Sequence, residues 1–199
     1  MLSILLLSAA PMVHAQPPRM PPPINGTVVA LHGDELQLTT VEHGRVEVSL
    51  TPEARIIDQV PASLTEVKAG RFIGTTAVEG ADGQLVAREI HIFPESMRGV
   101  GEGHYPMGPP DTTMTNGNVE SVAGHVGVST RGGQAMTLQV EYKGGQSTIR
   151  VPRHVTVTMM RPGTRALLRT GAHVTAFAQT GAGHTLSAGM LIVHAARAD

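Results

Sequence analysis

Histidine and methionine are the residues whose numbers and spacing suggest chemistry in this chain. There are ten of each and no cysteine. Imidazole nitrogen and thioether sulfur suit copper, most of all in an oxidising compartment. The densest local cluster is His104 and Met107, three residues apart, with Tyr105 between them and Met97 and Met114 near in sequence. A second candidate is Glu89 with His91, which on a strand project from one face. Met190 and His194 share a face in the same way. Weighed against this, methionine on a strand usually fills core space, and a single surface histidine is usually just solvated. No His-x-His or Met-x-x-Met series occurs. The metal candidates are therefore His104, Met107, Glu89 and His91, with copper or nickel as the metal if His104 and Met107 meet a further His or Met.

Catalytic patterns are missing. The sequence has no G-x-S-x-G, H-E-x-x-H or phosphate-binding loop. Gly99, Gly101 and Gly103 alternate in a proline-rich stretch that no helical pattern follows. No catalytic or cofactor-binding residue is assigned, and a hydrolase would need a buried carboxylate or an activated Ser beside a His. Net charge is −1 without basic or acidic blocks, and aromatic residues number three Phe and two Tyr. A nucleic-acid surface needs a basic stripe, and a single-strand binder needs stacking rings. Nucleic acid is therefore not an expected partner.

The elements that must position these residues read as strands. Residues 27–31 read as a strand, and residues 35–41 and 45–50 alternate apolar and polar between turns at His32-Gly33-Asp34 and Glu42-His43-Gly44, the mark of half-buried antiparallel strands. Residues 51–60 read as a crossover. Pro61, Leu64 and Val67 predict a short helix ending at Gly70. Strands over 72–78 and 85–93 follow. Three strands, a helix and two strands give the order of an OB-fold barrel.

The unit recurs. Pro61/Pro162, Gly70/Gly171, Ala77/Ala178, Leu85/Leu186 and Ala87/Ala188 all lie 101 residues apart, while Asn25-Gly26 is echoed 91 residues later by Asn116-Gly117. The second copy thus carries about ten extra residues early, around His125 to Gln134. The expected organisation is all-β: a secretory signal peptide over residues 1–15, a proline-rich arm over 16–23, one OB-like five-stranded barrel over 24–93, a Gly/Pro-rich linker over 94–115 and a second barrel over 116–199, each barrel with a short helix between its third and fourth strands. No segment approaches the ~20 apolar residues of a membrane span.

The segment P-x-S-L-x-x-V-K-x-G over residues 61–70, the strand end EIHIFPE over 89–95 and GEGH over 101–104 resemble a family of secreted bacterial proteins with tandem OB-like repeats and no assigned activity. Members are sometimes labelled as related to metal ABC transporter permeases, which a chain without spans does not fit. The resemblance implies the fold and transfers no site residue. The expected protein is a non-enzymatic periplasmic or secreted binding or scaffolding module, whose partner is a small ligand or an envelope protein. Copper-type metal binding and hydrolysis are the alternatives.

Overall fold

The computed structural model describes residues 23–195 apart from 109, 125–133, 182 and 184. The expected signal peptide, nearly all of the arm and most of the longer early hairpin lie outside the described residues. The fold is all-β. Its strands are β1 (Ile24–His32), β2 (Glu35–Thr40), β3 (Gly44–Pro61), β4 (Phe72–Glu79), β5 (Leu85–Ile92), β6 (Gly103–Pro106), β7 (Thr112–Ala123), β8 (Gln134–Tyr142), β9 (Gly145–Pro152), β10 (Thr156–Pro162), β11 (His173–Thr180) and β12 (Leu186–His194). Among the described residues no helix is long and apolar enough to cross a membrane.

The strands close into two five-membered circuits. One runs β1–β2–β3–β12–β11 and returns to β1. The other runs β7–β8–β9–β5–β4 and returns to β7. Neither circuit is built from one half of the chain, as a barrel over 24–93 followed by one over 116–199 would be. Each takes three strands from one copy and the last two from the other. The cores agree: Leu36, Leu38 and Val48 pack with Val174 and Leu191, and Ile73, Ile90 and Ile92 pack with Leu138, Val140 and Ile149. This is the strand exchange of a swapped dimer, made within one chain.

The cause lies in residues 51–60, read as a crossover but extended. β3 continues for 18 residues, stays paired with β12 as far as Gln59 and adds β10 along Ile57–Pro61, and carries the chain on toward the second barrel, where Leu64 and Val67 are buried, instead of turning back. Its alternation is hard to see because its outer face mixes Ile57 with Gln59. In the second copy the same stretch becomes β10, after a turn at Arg153 and His154. The linker is also more ordered than its composition suggests. It holds a 3-10 turn at Glu95–Met97, strand β6 paired to β7, and the start of β7.

The predicted short helices shrink to single 3-10 turns, Leu64–Glu66 and Arg165–Leu167. The first keeps a capping box: Ser63 Oγ accepts from Thr65 N–H, and the Glu66 carboxylate accepts from Ser63 N–H at 2.7 Å. Pro61 ends β3 rather than opening a helix. Gly70 and Gly171 do take positive φ, 83° and 87°. From there Gly70 N–H bonds Val119 O and Gly171 N–H bonds Val28 O, both at 2.8 Å. Each turn is thus tied to the barrel that begins in the other copy. The repeated Asn-Gly has a steric reason in the second barrel, where a Cβ on Gly117 would run into the Glu141 carbonyl.

Candidate functional site

Where the barrels meet, β12, β3, β10 and β5 form a continuous seam. Its central pair, β3 and β10, is antiparallel, and each outer pair is parallel. Gln59 lies opposite Met160, its own counterpart 101 residues on. Likewise His91 sits beside Thr158, and their counterparts Ile192 and Ile57 sit beside each other. A pseudo-two-fold axis therefore passes between Gln59 and Met160.

Directly opposed strand residues share a face, so one face of the seam carries both halves of this arrangement. One half is apolar: Ile57, Met160 and Met97 are buried together, with Phe93, Val100, Met190 and Ile192 against them. The other half is polar and hydrogen-bonded. Gln59, 6% exposed, donates through Nε2 to Thr158 Oγ1 (3.0 Å) and His91 Nδ1 (3.1 Å). The Thr158 hydroxyl donates to the same His91 Nδ1 at 2.7 Å. Gln59 Oε1 accepts from His194 Nδ1. The Thr175 hydroxyl then lies between His194 Nε2 (2.8 Å) and Asn25 Oδ1 (2.7 Å). At the other end His91 Nε2 faces Glu89 Oε2 at 3.7 Å. One chain of polar contacts thus crosses from β5 to β1, joining the barrels.

The amide fixes the protonation pattern. Because Gln59 presents its NH2 to His91, His91 Nδ1 must accept and its proton sits on Nε2, toward Glu89. Gln59 presents its carbonyl to His194 Nδ1, and the Thr175 hydroxyl beside His194 Nε2 donates to Asn25 Oδ1. Burial lowers the pKa of His91 below the ordinary 6.5, against the pull of Glu89. Burial lowers that of His194 too, with Glu89 opposing and His91 and His173 reinforcing.

At its β12 end the polar half opens on a cleft of about 270 Å³, lined by Arg169, His173, His194 and Asp58. Asp58 is already paired with Arg161 at 2.8 Å. His173 is held through Nδ1 by Thr27 Oγ1 at 3.1 Å. No described partner engages the Arg169 side chain.

Of the sequence candidates, Glu89 and His91 are brought together, and both join the seam. His104 and Met107 stand elsewhere. His104 is on β6, with Nδ1 2.8 Å from Thr115 Oγ1 and its ring stacked on Tyr142 at 6.0 Å. Met107 is 44% exposed beyond the end of β6. Met97 is buried in the apolar half of the seam. Among the described residues no group of three His, Cys, Asp or Glu side chains converges as a metal site would require. Tyr105 accepts from Asn116 Nδ2 at 3.1 Å, and burial raises its pKa.

Sequence reasoning missed Gln59, Thr158, Thr175 and Arg169, and noted His194 with Met190 rather than with His91. The usable signal was in the 101-residue register: His91 aligns with Ile192, and Gln59 with Met160. A polar residue where the other copy has an apolar one marks a divergence that the barrel itself does not require. Thr158, His91 and Glu89 have the order of a nucleophile, a base and its orienting carboxylate, but Thr158 also accepts from Gln59. Neither it nor His91 lines a described cleft. The arrangement fits a structural relay better than hydrolysis. Comparison with protein-family models, curated proteins and solved structures finds no match to this chain.

Proposed function

We propose that the chain is a non-enzymatic binding module of the bacterial periplasm or secreted space, made of two OB-like barrels exchanged within one chain. Support for the compartment comes from the N-terminal leader pattern. Support for the OB-like reading comes from the strand order in each circuit, in which the parallel contact joins the third and fifth barrel strands. The resemblance to secreted proteins with OB-like repeats points the same way.

The reading places a small anionic ligand in the cleft of about 270 Å³ beside His194. The observation that carries it is the convergence there of Arg169, free of a described partner, with two imidazoles whose Nδ1 atoms are already committed. Committed Nδ1 atoms hold the rings in place and leave Arg169 and the His173 Nε2 edge to meet a ligand. The lining's one carboxylate, Asp58, is neutralised by Arg161. Ligand sites are typically ~300–1,000 Å³, so this one suits a compact ligand.

The test titrates inorganic phosphate and acetate into the full chain and follows the imidazole NMR signals. Saturable shifts of His173 and His194 that vanish in Arg169→Ala are the expected result. No saturation by about 10 mM, an affinity weaker than roughly 3 kcal/mol, would sink the reading.

A further inference from the structure

The apolar half of the seam has a cleft of its own, with different chemistry. It measures about 500 Å³, within the ~300–1,000 Å³ of ligand sites. Its floor is Ile57 and Met97, and its walls include Ala54, Pro94 and Pro162. At the rim stands Arg55, exposed on β3. Arg98, Arg150, Arg161 and Arg165 each have a carboxylate within ion-pairing distance, whereas no described side chain partners Arg55. No Asp or Glu lines the cleft, while the hydroxyls of Ser96 and Thr164 do.

A largely apolar cleft with one guanidinium that no described side chain partners is complementary to an apolar chain that ends in a carboxylate. We infer that this cleft binds an unbranched aliphatic monocarboxylate, alkyl chain along Ile57 and Met97, carboxylate on Arg55. The alkyl chain gains by leaving water. A guanidinium fork matches a carboxylate in two parallel hydrogen bonds. Thioether side chains such as Met97, with Met190 nearby, adapt to a flexible chain better than branched residues do. The inference does not rest on the anion cleft at Arg169, which faces the other half of the seam.

Decanoate, decanol and acetate are titrated into the full chain below their aggregation limits, with heat and the methionine methyl NMR signals as readouts. Decanoate is expected to bind saturably and shift Met97, with decanol weaker and acetate silent at Met97. Arg55→Gln is expected to weaken decanoate about tenfold, the loss of a charge-assisted bond. Arg169→Ala is expected to leave it unchanged. Ser96→Phe, at an exposed rim position, blocks the cleft without touching the core and is expected to abolish binding. Equal binding of decanol and decanoate with no effect of Arg55→Gln overturns the carboxylate assignment. Absence of any Met97 shift, or loss of decanoate binding in Arg169→Ala, overturns the site.

Discussion

The two halves of the seam share a backbone and differ in nearly every outward side chain. Gln59 faces Met160, His91 corresponds to Ile192, Thr158 to Ile57, and His194 to Phe93. The strand pairing is the same on both sides, but the covering differs. After Phe93 the chain continues over the apolar half as the 3-10 turn Glu95–Met97, and Met97 and Val100 pack down on it. After His194 the strand ends, and Ala195 N–H bonds back to Gln59 O at 2.9 Å. Each half adjoins a cleft, but an apolar face requires cover from water, which Met97 and Val100 supply, whereas the polar half is satisfied by its own hydrogen bonds. The repeat therefore supplies the joint, and the segment after Phe93 supplies the cover that the apolar half of the joint requires.

Exchanging the two central residues attacks this comparison most directly. Gln59→Met removes the group that satisfies His194 Nδ1 and half of the set that satisfies His91 Nδ1, leaving buried polar atoms unpaired at ~1–3 kcal/mol each. A loss of about 2–4 kcal/mol is expected by urea denaturation. Met160→Gln places an amide among Ile57, Met97 and Ile192 and is expected to cost about 1–3 kcal/mol. The double exchange should lose nearly the sum, because His91, Thr158 and His194 stay around position 59 and Ile57, Met97 and Ile192 stay around position 160. Recovery in the double variant would mean that the halves differ in composition but not in design, and the comparison would fail.

The pH response should be confined to the polar half. His91 has its folded pKa below the ordinary 6.5. Above pH 6.5 both folded and unfolded states hold a neutral ring, and nothing is at stake. As pH falls below 6.5 the unfolded chain takes the proton first, so stability drops until pH passes the folded value, by up to about 1.4 kcal/mol per pH unit. Burial is the reason: a charged ring there loses its hydration, and the Glu89 carboxylate offsets only part of that cost. His91→Ile, which copies Ile192, should lose stability near neutral pH yet show a shallower decline into the acid range than the parent. Glu89, His173 and His194 face the same region and are present in both proteins, so the difference between the two curves is the readout. Parallel curves would remove His91 from the pH response.

These contrasts also show how much was legible in the residues. Period-two alternation in β2 and the first part of β3 made those strands visible, since each has one face on a core. The 101-residue offset made the repeat visible. The exchange was not, because pairing a strand with its own copy or with the other satisfies the same alternation. The deciding element is residues 51–60, where Ala54 and Ile56 face a core but Pro52 and Asp58 interrupt the apolar stripe that would announce a strand. His104 and Met107 drew attention through local density, yet density in sequence is not proximity in space. Glu89 and His91 were found because a strand places i and i+2 on one face. Their partners Gln59 and His194 lie 32 residues before and 103 after His91, beyond any local pattern.

The subtlest test concerns the cover itself. Arg98 ties the segment after Phe93 to the second barrel: its guanidinium meets Glu95 Oε2 at 2.7 Å, Gly70 O at 3.0 Å and Asn118 Oδ1. The pairing raises the Arg98 pKa and lowers that of Glu95. Both side chains are exposed, so the effect of Arg98→Ala on global stability should be small. The effect on local opening should not be. Met97 is 7% exposed, and its thioether oxidises only when the cover lifts. Peroxide oxidation of Met97, followed by peptide mass spectrometry, should be faster in Arg98→Ala than in the parent, while Met107, already exposed, oxidises at the same rate in both. Unchanged Met97 oxidation would mean that the apolar half holds its own cover by packing alone, and the contrast between the halves would then rest on their side chains and not on the anchoring of the segment after Phe93.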